Sequence, residues 1–160
     1  FNTGLQNIDT RLGRYGLEMN YSYTLPYFKQ SMEFEEEGDV RIGDIPSHQA
    51  NLIANGKYWD SRINLNLRLN VVGERLTGPG TTVETNPFTS VAPFAVLHGT
   101  LTLQPAASSK FSGLSLQIRA NNIVGTEYYH PGVRTAGGAP YAPLILQPGR
   151  VFFAQLNFNF

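Results

Sequence analysis

The chain contains no cysteine, which excludes a disulfide frame, thiol catalysis and cysteine-ligated metal. It is also poor in charge. Asp, Glu, Lys and Arg make up 15% of its 160 residues, against about 25% in ordinary soluble domains, and the 12 acids cancel the 12 bases. A neutral chain offers no electrostatic footprint for nucleic acid. No run approaches the roughly 20 apolar residues of a transmembrane helix. The 3 histidines are scattered, so a metal centre has little to build on. There is no G-x-S-x-G elbow, no H-E-x-x-H pair and no phosphate-cradling loop. The sequence therefore predicts no enzyme and calls for no cofactor. The opening residues, from Phe1 to Gln6, lack the basic start and apolar stretch of a signal peptide. For an exported protein that is expected of a processed chain or of a piece of a longer one.

What the chain does have is alternation with period two, the mark of half-buried strands. Tyr15, Leu17, Met19, Tyr21, Tyr23 and Leu25 interleave with Gly16, Glu18, Asn20, Ser22 and Thr24. Ala50, Leu52, Ala54, Gly56 and Tyr58 oppose Gln49, Asn51, Ile53, Asn55 and Lys57. Ile63, Leu65, Leu67, Leu69 and Val71 oppose Asn64, Asn66, Arg68 and Asn70. Ala95, Leu97, Gly99, Leu101 and Leu103 oppose Val96, His98, Thr100, Thr102 and Gln104. Leu114, Leu116, Ile118 and Ala120 oppose Ser115, Gln117, Arg119 and Asn121. The last strand sets Phe152, Ala154, Leu156, Phe158 and Phe160 against Gln155, Asn157 and Asn159. With a weak polar strand over Leu5–Arg11, whose faces do not separate, the count is seven.

The connections between these strands alternate short and long. Turns at Arg11-Leu12-Gly13, Trp59-Asp60-Ser61 and Pro105–Ser112 are short, while three long loops follow Leu25, Gly73 and Asn121. Outer-membrane barrels have short periplasmic turns and long extracellular loops. Placing the end of the last strand at the periplasm puts every short turn there and every long loop outside. Runs of about 10 residues also suit a tilted membrane strand better than the usual globular length of about 5–6. Aromatic residues near strand ends fit interfacial girdles, with Tyr15, Tyr58, Trp59 and Phe160 low and Tyr23, Tyr27, Phe94 and Phe152 high. Seven strands alone would leave two unpaired edges in lipid, so pairing with further strands is expected.

Four features in order carry a resemblance: Ile45-Pro46-Ser47-His48 ahead of a strand, Asn121-Asn122-Ile123-Val124-Gly125-Thr126-Glu127-Tyr128-Tyr129, Gln147-Pro148-Gly149-Arg150, and the terminal Phe160. Together they resemble the end of TonB-dependent outer-membrane receptors. Ile123-Val124-Gly125-Thr126-Glu127 departs mildly from that family's commonest middle motif. The resemblance implies an all-β fold, a transmembrane antiparallel β-barrel segment contributing about seven C-terminal strands to a barrel of about 22. It implies energised uptake of a scarce solute (a metal chelate, vitamin or glycan) across the bacterial outer membrane. The implied partners are the remaining strands and plug domain, outer-membrane lipid, the TonB complex reached through an N-terminal part outside this chain, and the barrel-assembly machinery. Phe152, Leu156, Phe158 and Phe160 would form the assembly signal.

Candidate sites follow from this placement. Tyr128, Tyr129, His130, Arg134 and Tyr141 share the last long loop and suit ligand capture; equally, the tyrosines anchor a strand end and His130-Pro131-Gly132 is a turn. Glu18, Lys57, Arg68, Glu74, His98 and Arg119 are predicted to face the lumen, bonding to water or holding the plug. The acidic stretch with Glu33, Glu35, Glu36, Glu37 and Asp39 lacks the spacing of a calcium loop and is read as solvated. Two other functions stay open: a receptor-like barrel that docks proteins within an outer-membrane complex, and a soluble β-sandwich that binds carbohydrate.

Overall fold

Each alternating segment forms a strand in the computed structural model, which describes residues 2–25, 27–29, 39–41, 44–77, 90–132 and 144–159. In chain order the strands are β1 (Asn2–Thr10), β2 (Gly13–Tyr23), β3 (Tyr27–Lys29), β4 (Asp39–Arg41), β5 (His48–Tyr58), β6 (Ile63–Val72) and β7 (Arg75–Leu76). They continue with β8 (Ser90–Val91), β9 (Phe94–Leu103), β10 (Leu114–Asn121), β11 (Tyr129–Pro131), β12 (Leu144–Leu146) and β13 (Val151–Phe158). No helix occurs among the described residues. The seven long strands make one antiparallel sheet in the order β1-β2-β5-β6-β9-β10-β13. Among the described residues the sheet is open: β1 and β13 each pair on one side only.

Register carries the alternation from strand to strand. Leu67 lies opposite Ala54 and Gly99, and Leu69 opposite Leu52 and Leu97. Ile118 lies opposite Leu101 and Ala154, and Ala120 opposite Gly99 and Phe152. All the apolar sets therefore share one face. The other face runs Asn55, Asn66, Thr100, Arg119 across four strands. Polar side chains there bond across the ladders: Asn66 Nδ2 donates to Asn55 Oδ1 at 2.6 Å, and Asn157 Nδ2 to Ser115 Oγ at 3.4 Å.

Among the described residues nothing covers the apolar face. Among the described residues the buried apolar side chains are Val91 and Val96. Leu17, Met19, Leu52, Ile118, Leu156 and Phe158, spread over four strands, are each between 37% and 60% exposed. A soluble sheet of this size normally buries one face against a second layer.

The first strand resisted face assignment for a structural reason. Its ladder with β2 shifts register between Leu5 and Ile8, so Leu5 pairs with Leu17 and Ile8 with Tyr15. Such a bulge inserts a residue and breaks the even spacing that a period-two reading needs.

The long connections, expected as loops, contain three two-stranded sheets: β3–β4, β7–β8 and β11–β12. Their strands are two or three residues long, too short to show a period. Glu33, Glu35, Glu36 and Glu37 lie outside the described residues, and Asp39 begins β4.

At the other end the turns are tight. Trp59, Asp60 and Ser61 are all left-handed, with φ of 49°, 54° and 66°, closed by Arg62 N donating to Trp59 O at 3.1 Å. Gly13 sits so close to β5 that an added Cβ would lie 2.3 Å from Lys57 O.

Candidate functional site

The motif residues of the last long connection form a knot at the end of β10. Asn122 is 2% exposed and left-handed, at φ 51°. Its Oδ1 accepts from Thr126 N at 2.8 Å, and its Nδ2 donates to Thr126 O at 2.8 Å. Asparagine tolerates this backbone better than most residues and supplies both bonds. Thr126 Oγ1 then donates to Ala95 O at 2.9 Å on the neighbouring strand. Arg150 Nη2 donates to Val124 O at 2.8 Å and fastens the approach to β13.

Beyond that knot, three long connections meet on Arg75. This residue was not among those singled out from the sequence. It is 4% exposed. Its Nη1 donates to Asp44 Oδ1 at 3.1 Å, from the first connection. Its Nη2 donates to Tyr129 O at 2.8 Å, and Nη1 lies 3.5 Å from His130 Nδ1, both in the third connection. The guanidinium also stands 5.5 Å from the Phe94 ring centroid, within cation–π range. Phe94 packs tilted against Tyr128, with ring centroids 4.4 Å apart, and lies 6.3 Å from His130. Among the described residues, Arg75 Nε is buried without a hydrogen-bond partner.

The structure thus brings Tyr128, Tyr129 and His130 together, while Arg134 and Tyr141 lie outside the described residues. Phe94, expected in an outward girdle, sits opposite Val72 on the polar-face side of β9 and packs under Tyr128. Burial, and next the Arg75 guanidinium, hold His130 below the usual histidine range, with Asp44 opposing. Tyr129 is bonded to the Glu127 carboxylate, which keeps its phenol protonated and raises its pKa. The first connection ends in a second aromatic contact, where His48 Nδ1 and Tyr21 Oη are 2.7 Å apart beside Tyr23.

The ladders settle where the predicted lumen residues stand. Glu18 pairs with Ile53, Ile53 with Arg68, and Arg68 with His98, so all lie in one row of one face. Lys57 pairs with Asn64 and Arg119 with Thr100 on the same face. Glu74 falls in the link between β6 and β7, outside any ladder. Arg68, His98 and Arg119 line a concavity of about 390 Å³ together with Asn66, Asn70 and Asn121. Among the described residues no carboxylate lines it. Among the described residues neither Arg68 nor Arg119 has an ion pair, the two such pairs being Arg14–Asp9 and Arg75–Asp44. This wall can accept carboxylate or phosphate groups and amide partners.

No group of three or more His, Asp or Glu side chains is placed to hold a metal ion among the described residues. On β13, Phe152, Leu156 and Phe158 are exposed on the apolar face, and Phe160 lies outside the described residues. No model of a known protein family matches the chain, and no curated protein matches it either.

Proposed function

We propose that this chain is a wall segment of a bacterial outer-membrane β-barrel of the TonB-dependent receptor kind, which takes up a scarce solute. The observation that carries the reading is the exposed apolar face, continuous through the six register-matched strands from β2 to β13. With strands about 4.8 Å apart and a rise of about 3.3 Å per residue, that face spans roughly 1,000 Å². The largest apolar patch on a typical soluble monomer is about 300–600 Å². In water the excess is a strong drive to associate; against lipid tails it costs nothing. Strands of 8 to 11 residues agree with the roughly 9–11 of a tilted crossing.

Orientation and partners follow from the same premise. The two open edges require further strands, since each unsatisfied backbone group in lipid costs several kcal/mol. The polar face then borders an aqueous lumen, where Arg68, His98 and Arg119 meet water, a plug domain or passing solute. The Arg75 cluster lies at the extracellular end and shapes the entrance. The short turns lie in the periplasm, on the side from which TonB would energise release.

Fractionation and growth test the proposal in the protein that carries this chain. It should remain in outer membranes after alkaline extraction and need detergent to stay dispersed. Its deletion should impair growth on one limiting solute. A monodisperse, detergent-free protein would refute the barrel. Firm membrane association with stable protein partners, and no solute-dependent defect, would refute uptake and favour docking.

A further inference from the structure

The three most exposed large apolar side chains recorded for the described residues sit one in each short turn: Leu12 at 76%, Trp59 at 71% and Phe111 at 69%. Each has a cation close in sequence, namely Arg11, Arg62 and Lys110. The turns themselves hold Arg11, Arg62 and Lys110 against Asp60, an excess of two positive charges, while Arg14 and Lys57 beside them belong to the polar face. Arg14 is already paired, at 2.7 Å from Asp9.

Their height on the sheet decides what they can meet. The apolar stripe starts at Tyr58, Ile63, Leu103 and Leu114, with Tyr58 opposite Ile63 and Ile63 opposite Leu103. Trp59 follows Tyr58 directly, and Phe111 stands three residues before Leu114. Tyr15 and Tyr58 pack edge to face at 5.5 Å on the same level, the depth at which tyrosine and tryptophan favour the membrane–water boundary. On a barrel these turns therefore lie at headgroup height, where exposed apolar tips find acyl chains and adjacent cations find phosphate.

We propose that the three short turns together form a docking edge for anionic phospholipid headgroups. The inference rests on the barrel reading. The excess positive charge selects anionic over zwitterionic lipid, while Leu12, Trp59 and Phe111 hold the turns at the boundary. Each cation near an anionic surface contributes about fivefold to local enrichment at low salt.

The test uses the whole protein, reconstituted into vesicles, with single labelled cysteines introduced into this cysteine-free chain. L12C, W59C and F111C report on the turns, and L67C reports on the middle of the apolar face. Headgroup-proximal brominated phosphatidylglycerol should quench the turn labels at least about fivefold more than equally brominated phosphatidylcholine at low salt. The combined variant R11Q/R62Q/K110Q should bring that ratio to one and leave quenching of L67C by chain-centre bromines unchanged. Equal quenching by the two lipids in the unaltered protein overturns the proposal, as does full access of aqueous iodide to the turn labels. A label at L67C that no lipid quenches would instead sink the barrel reading itself.

Discussion

Arginine substituted along β6 gives the sharpest test of the apolar face. Ile63, Leu65, Leu67, Leu69 and Val71 point to one side, and Leu67 is the third of the five, flanked by Ala54 and Gly99. At about 3.3 Å per residue and a tilt near 45°, Ile63 and Val71 lie roughly 9 Å above and below it. Arginine at mid-bilayer costs about 2–4 kcal/mol and falls to about 0–1 near the interfaces. Leu67→Arg should therefore reduce the folded-to-unfolded ratio by roughly 30- to 1,000-fold, with L65R and L69R intermediate and I63R and V71R mild. Asn66→Arg, one residue away on the polar face, should be nearly neutral. Equilibrium unfolding in lipid vesicles, followed by heat-modifiable mobility on gels, measures the series. A flat profile, or an equal loss for Asn66→Arg, would refute the face assignment. Solubility gained by L67R without lipid would point to a sheet that lives in water.

Other expectations concern the connections. Arg75→Met should cost roughly 1–3 kcal/mol locally, because Tyr129 O and Asp44 lose their donor. Asp44→Asn should cost under about 1 kcal/mol, its carboxylate being 65% exposed. Amide exchange of residues 128–130 separates the two. Histidine 130 holds its proton less readily when folded, so its packing is at full strength above the usual pKa of about 6.5 and weakens as pH falls below it. Protection of the amides of residues 128–130, corrected for intrinsic exchange, should fall on acidification, and His130→Gln should abolish that fall. Asn122→Ala should cost about 1–3 kcal/mol by removing both bonds to Thr126, visible as loss of protection at Thr126. Gly13→Ala should shift the β2–β5 ladder at Lys57, where no room exists, and would be read by the same method.

The long strands and their two faces were legible because alternation is a local signal, and the ladders kept every apolar set in step. The face of β1 was hidden by its bulge, where two residues intervene between Leu5 and Ile8. Of the candidate site, Tyr128, Tyr129 and His130 were visible as a cluster of aromatic and titratable residues. Arg75 was not. Its position one residue after Glu74 looks like an ordinary polar link, and its burial arises only when three distant connections converge. Phe94 was misread for a related reason: an aromatic residue at a strand end suggests a girdle, but parity with Val96 and His98 puts it on the polar side. The Asn122 and Arg150 motifs were recognisable as pattern, and their bonds to Thr126 and Val124 give that pattern a physical basis.

The order of the strands has a bearing on assembly. Every ladder of the main sheet joins a long strand to the next long strand in the chain, so no pairing within the sheet must wait for a distant one. Local pairings of this kind form quickly, because little loop entropy is lost before hydrogen bonds are gained. The sheet can grow hairpin by hairpin, each new strand templated by the exposed edge of the last. Among the described residues only the outer sides of β1 and β13 stay unpaired, so any further strand joins there after the sheet has formed. The sheet is thus zipped together in chain order, each hairpin built on the one before it, with only its outer edges left to recruit further strands.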